Sequence, residues 1–156
     1  MKLISLIVCV SLAGFLQTDT VPDDVPPPPR FTAQGHSLDS LDVVKNLVQK
    51  KQAVLIDVRE QREWDAGHLK AAKLVPLSAV KADQLTADMQ KYLPMDKPIY
   101  CHCASGGRVL IVAELLQAKG YDVRPLRPGY EKLLAEGFQK AMVPADGKEN
   151  PDAEDE

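Results

Sequence analysis

Between residues 31 and 141 the apolar positions alternate between two rhythms. Ser37 can cap a helix in which Leu41, Val44 and Val48 recur at the spacing of one face. Residues 53–56 form a short apolar run ending at Asp57, the pattern of a buried strand. A second short strand is expected over 73–76, then helical segments over 77–82 and 85–92, separated by Asp83, with Pro94 closing the second. Residues 98–102 predict another strand. The long helix over 106–119 carries Val109, Val112, Ala113 and Leu116 on one stripe, widened by Leu110, Ile111 and Leu115, and Gly120 ends it. A last strand over 123–126 precedes a helix that runs through Leu133 and Leu134 to Gly137. Strands alternating with helices imply an α/β fold in which helices cover both faces of a parallel sheet. Ligands of such folds bind beyond the carboxyl ends of the strands.

The two ends of the chain follow neither rhythm. Lys2 and the apolar run over 3–16 fit the short hydrophobic region of a secretory signal, and the run is too short for a stable membrane-spanning helix. Pro22 and the unbroken prolines 26–29 favour extended polyproline II, a semi-rigid spacer. Residues 142–156 carry Pro144, Gly147 and Pro151 among mostly acidic charges and lack apolar periodicity. The expected organisation is a signal peptide or membrane tether over 1–18, a proline-rich linker over 19–30, one domain over 31–141 and an acidic tail over 142–156. A periplasmic or secreted protein follows, or one tethered by an uncleaved N-terminal segment. The full length of 156 residues leaves room for one ordinary domain. A net charge of -3 gives no sign of a nucleic-acid partner, and three cysteines are too few for a disulfide-stapled scaffold.

Candidate chemistry concentrates in residues 100–109, Tyr-Cys-His-Cys-Ala-Ser-Gly-Gly-Arg-Val. A strand ends at Cys103, the small residues Ala104, Ser105, Gly106 and Gly107 make a loop, and a helix begins at once. The glycines let backbone N–H groups turn inward around one point. Those donors, the positive end of the helix and the Arg108 guanidinium are expected to face the Cys103 sulfur and to favour thiolate over thiol. Four residues separate Cys103 from Arg108, one fewer than in the loop of a cysteine-dependent phosphatase. The shorter ring suits a single sulfur atom better than a tetrahedral phosphate.

These residues resemble a known family, the single-domain rhodaneses, which are sulfurtransferases. Cys103, Gly106 and Arg108 match its Cys-x-x-Gly-x-Arg loop, and Asp57-Val58-Arg59, Glu63-Trp64, Gly67-His68-Leu69 and Pro76 match its upstream signature. The similarity runs over about residues 38–138. It implies a five-stranded parallel sheet and a persulfide carried on Cys103. Ala71, Pro128, Leu133 and Val109 depart from the family pattern, and the first three are expected to lie away from the cysteine loop.

Asp57, Arg59, Glu63 and His68 read as supporting residues. Asp57 is expected to accept backbone N–H bonds and Arg59 to pair with Glu63 or another carboxylate; His68 reads as a hydrogen-bonded turn residue. Of these, Arg59 is the one expected to touch substrate. Alternation along the strand turns His102 away from Cys103, and His36 is expected to face solvent. Cys101 reads as a small core residue; a disulfide to Cys103 would require the strand to bend. No metal or other cofactor is implied, since three scattered histidines and a Cys-His-Cys run on one strand offer no tetrahedral site. The leading function is transfer of a sulfane sulfur from thiosulfate or a similar small donor to cyanide, a small thiol or a protein thiol. The alternative is a non-catalytic or redox-sensing binding module of the same fold.

Overall fold

A computed structural model of the chain describes residues 30–142. The signal or tether, nearly all of the proline linker and all but the first residue of the acidic tail therefore lie outside the described residues. Within them the element order is α1 (Leu41–Gln49), β1 (Val54–Asp57), α2 (Gln61–Asp65), β2 (Ala72–Leu74), α3 (Leu77–Lys81), α4 (Ala87–Lys91), β3 (Ile99–His102), α5 (Arg108–Gln117), β4 (Val123–Pro125) and α6 (Tyr130–Ala135). No helix among the described residues is long and apolar enough to cross a membrane.

The sheet is parallel, in the order β2-β1-β3-β4. Strand alternation sends Ile56, Ile99, Cys101 and Val123 to one face, where they pack with Val109, Val112 and Leu116 of α5 and Val80 of α3. Leu55 and Tyr100 turn to the other face, against Val44 of α1, Trp64 of α2 and Tyr130 and Leu133 of α6. β3 is buried at every position because it lies inside the sheet under both layers. Register sets Asp57 beside His102, so the carboxyl ends of β1 and β3 finish side by side.

Three expectations need correction here. Among the described residues the sheet has four strands, not five. Beyond β4, residues 30–38 close on themselves through an antiparallel bridge between Phe31 and Ser37, and Ser37 gives the β4 edge a single backbone bond to the Pro125 carbonyl, 2.7 Å. Ser37 is consequently not the cap of α1; Ser40 is, its hydroxyl accepting from the Val43 N–H at 3.3 Å. The long helix begins at Arg108 rather than Gly106, because Gly106 has φ of +84°, outside the helical region.

Candidate functional site

Cys103 is the first residue past β3, and residues 104–107 carry the chain from it into α5. The Gly106 N–H donates to Cys103 Sγ at 3.1 Å. Gly106 has positive φ while Gly107 is right-handed, with φ −84° and ψ −49°. Successive residues of opposite hand turn their N–H groups into one concavity, an anion-binding nest. Gly106 is required there twice over: a Cβ would sit in a left-handed backbone and 2.2 Å from the Arg127 carbonyl oxygen. Gly107 has no such demand, since nothing lies within 4 Å of a Cβ placed on it. Ala104, Ser105 and Gly107 are exposed, but Cys103 is 0% exposed.

Arg108 does not simply face the sulfur. Its guanidinium forms a bidentate pair with Glu63, with both N–O distances 2.6 Å. That pairing is the main reason the Glu63 carboxyl is held down to about 2 and Arg108 is held more firmly charged, with the Cys103 sulfur adding a smaller effect on Arg108. Glu63 also accepts from the Glu60 N–H at 3.1 Å at the start of α2, so one carboxylate ties that helix to the end of the cysteine loop.

The other supporting residues gather on the opposite face of the sheet. Arg59 pairs with Asp57, not Glu63: its Nε lies 3.0 and 2.9 Å from the two carboxylate oxygens, and its NH2 donates to Asp57 at 2.7 Å and to the Gly67 carbonyl at 2.8 Å. Asp57 also accepts the Arg59 N–H at 3.0 Å, as its place at a strand end suggests. Arg59 is buried beneath the Tyr130 ring, 4.1 Å from its centre. Nε and NH2 of its guanidinium are taken up in this way, and Arg59 also lines a surface pocket with Glu63, Gly67 and Tyr130. His68 is likewise buried, stacked on Trp64 at 3.7 Å, with Nδ1 3.2 Å from the Trp64 carbonyl oxygen. His102 does turn away from Cys103. It is wholly buried 3.7 Å from Asp57, and burial pushes it down to about 4. Cys101 is a buried free thiol whose pKa burial raises; its Sγ lies 3.8 Å from the Val109 carbonyl oxygen.

Two contacts escape a reading of the sequence. His36, expected in solvent, is buried with Nε2 2.9 Å from the Gly106 carbonyl oxygen. The segment around Pro128 does not lie away from the loop: a Cβ on Gly129 would stand 1.8 Å from the Ala104 carbonyl oxygen, and the Tyr130 N–H donates to the Cys103 carbonyl at 2.9 Å. A close pairing of backbones makes no hydrophobic pattern, so only the lone Gly129 hints at it.

An uncharacterised protein of Bacillus subtilis, YqhL, is 32% identical over 83 residues, 53% of this chain and 61% of its own length. The tRNA sulfurtransferase of Desulfurococcus amylolyticus is 33% identical over 88 residues, 56% of this chain and only 16% of that protein. The chain thus spans less than two thirds of either curated relative. The human single-domain sulfurtransferase TSTD1 superposes with a TM-score of 0.54 at 27% identity, covering 63% of this chain and 95% of that one. The model of the rhodanese-like domain matches residues 40–136, more than half of the chain, and the chain belongs to that family.

Proposed function

We propose that the protein is a sulfurtransferase that carries a sulfane sulfur on Cys103. The observation that carries this reading is the Gly106 N–H aimed at Cys103 Sγ from 3.1 Å within a nest that opens a helix. The Cys103 thiolate attacks the outer sulfur of thiosulfate or a related small donor; the S–S bond of the donor breaks, sulfite leaves with the bonding pair, and a Cys103 persulfide anion remains. A thiophilic acceptor, cyanide or the thiolate of a small molecule or protein, then attacks the terminal sulfur and releases the Cys103 thiolate. Each half-reaction conserves charge and needs no added oxidant or reductant, and the relay is ping-pong. Donors from Ala104, Ser105, Gly106, Gly107 and Arg108 hold the persulfide, and the Arg108–Glu63 pair fixes the loop's far end. The apolar run over 3–16 and the prolines after it support an exported or membrane-tethered setting for this chemistry.

The complete burial of Cys103 is the one observation favouring the alternative, a non-catalytic or redox-sensing module. Intact mass spectrometry after exposure to thiosulfate separates the two. We expect an adduct of one sulfur atom that Cys103→Ser abolishes and Cys101→Ser retains. No adduct on the wild-type chain leaves only the binding module, and an adduct that moves with Cys101 refutes the site.

A further inference from the structure

His36 lies ahead of the residues that the family model matches, 40–136, yet it reaches the cysteine loop. Hydrogen bonds within residues 30–38 fix its place. Thr32 N donates to the His36 carbonyl at 2.7 Å, Gly35 N to the Thr32 carbonyl at 2.8 Å and Leu38 N to the Arg30 carbonyl at 3.0 Å, while His36 N donates to Thr32 Oγ1 at 3.1 Å. The resulting hairpin turns at Gly35, where φ is +85°, and Ser37 pins it to the end of β4. This places the His36 ring, 8% exposed, at the Gly106 carbonyl across 70 residues of sequence. A carbonyl only accepts, so Nε2 carries the hydrogen.

We infer that His36 is a positioning residue for the sulfur-carrying loop. None of the described peptides is cis, and a trans peptide points its C=O and N–H in opposite directions. Holding the Gly106 carbonyl toward His36 fixes the Gly107 N–H on the other side of that peptide. The same bond fixes the hand of Gly106, on which the nest of Gly106, Gly107 and Arg108 amides depends. The remaining face of Gly106 is against the Arg127 backbone, so histidine and backbone grip the residue from two directions. The hairpin, which precedes the residues that the family model matches, thus preorganises the cysteine loop.

The test compares His36→Gln, whose side-chain amide can still donate, with His36→Leu, which fills similar space and cannot. In the full chain, two quantities are measured: the first-order rate of sulfur loading at saturating thiosulfate, and hydrogen exchange of the Gly106 and Gly107 amides. The leucine variant should load sulfur about tenfold more slowly and exchange those amides about tenfold faster, the loss of roughly one neutral hydrogen bond. The glutamine variant should stay near wild type in both, and exchange in α5 and β3 should change in neither. Wild-type exchange at Gly106 and Gly107 in the leucine variant overturns the inference, as does a glutamine variant as impaired as the leucine one. If the leucine variant does not fold, His36→Asn, whose shorter amide falls short of Gly106, replaces it with the same expected losses. The kinetic arm rests on the sulfurtransferase reading, whereas the exchange arm does not; a chain that takes no sulfur but shows the exchange pattern refutes only the former.

Discussion

At the scale of single residues, the two adjacent glycines look equivalent in sequence and differ completely in what their surroundings demand. Gly106 combines φ of +84° with a backbone oxygen 2.2 Å from where a Cβ would go, and Gly107 has an ordinary φ of −84° with open space around it. Gly106→Ala should therefore cost about 2 kcal/mol or more in urea unfolding and abolish sulfur loading. Gly107→Ala should lie between neutral and about 1 kcal/mol more stable, because alanine restricts only the unfolded chain there. Equal costs at the two positions would show that the loop does not hold the hand described. The spacing of Cys103, Gly106 and Arg108 is legible in the sequence as one short loop between a strand and a helix, and the structure brings the Gly106 N–H to the Cys103 sulfur. The partners of those residues are not legible there. Arg108 reaches Glu63 and Gly106 reaches His36 across 45 and 70 positions, and neither contact leaves a periodic or compositional trace.

Among elements, the alternation of strands and helices was readable because burial imposes it directly: β3 is apolar or buried throughout, and α5 keeps its stripe. The missing fifth strand and the shifted cap of α1 share one cause. Residues 30–38 satisfy their hydrogen bonds within a hairpin, an outcome decided by Gly35 and Thr32 rather than by hydrophobic rhythm. The entry into α6 is a second case in which packing outweighs pattern. Gly129 has extended backbone that any residue adopts, φ −81° and ψ 175°, so its lack of a side chain matters only because the Ala104 carbonyl occupies the Cβ position. Gly129→Ala must push α6 and the cysteine loop apart. The expected cost is about 1–3 kcal/mol, the usual range for overpacking. Sulfur loading should fall further than stability does, because the displaced carbonyl belongs to the residue next to Cys103. A Gly129→Ala chain that loads sulfur at the wild-type rate would remove α6 from the site.

For the whole molecule, the layers on the two faces of the sheet differ in kind. One holds Cys101 and Cys103 among apolar side chains, and the other encloses the charged Asp57–Arg59 pair together with His102. Neither ring nitrogen of His102 makes a well-formed hydrogen bond, and its pKa falls from 6.5 to about 4, first because burial disfavours the cation and further because Arg59 is near, against the pull of Asp57. Glu63 is held down to about 2 from 4.5, principally by its bidentate bond to Arg108. Both groups bind fewer protons in the folded chain than in the unfolded one, so both make stability rise with pH. As pH falls, the unfolded chain protonates its histidine first, and the folded state loses stability between 6.5 and about 4. The Glu63–Arg108 contribution is complete above 4.5 and is lost below it, toward about 2. A histidine gaining an acidic partner would act in the opposite sense, stabilising the fold at low pH. Urea unfolding from pH 7 down to 4.5 should show midpoints that decline in the wild type and stay nearly level in His102→Leu, which removes the titrating ring beside the Asp57–Arg59 pair. The difference should approach about 3 kcal/mol at the acid end. Parallel declines in the two chains would mean that folding leaves the His102 pKa unchanged, whereas a wild type that declines less than His102→Leu would mean a folded-state cation paired with Asp57, around which the charge balance at the carboxyl end of the sheet would have to be redrawn.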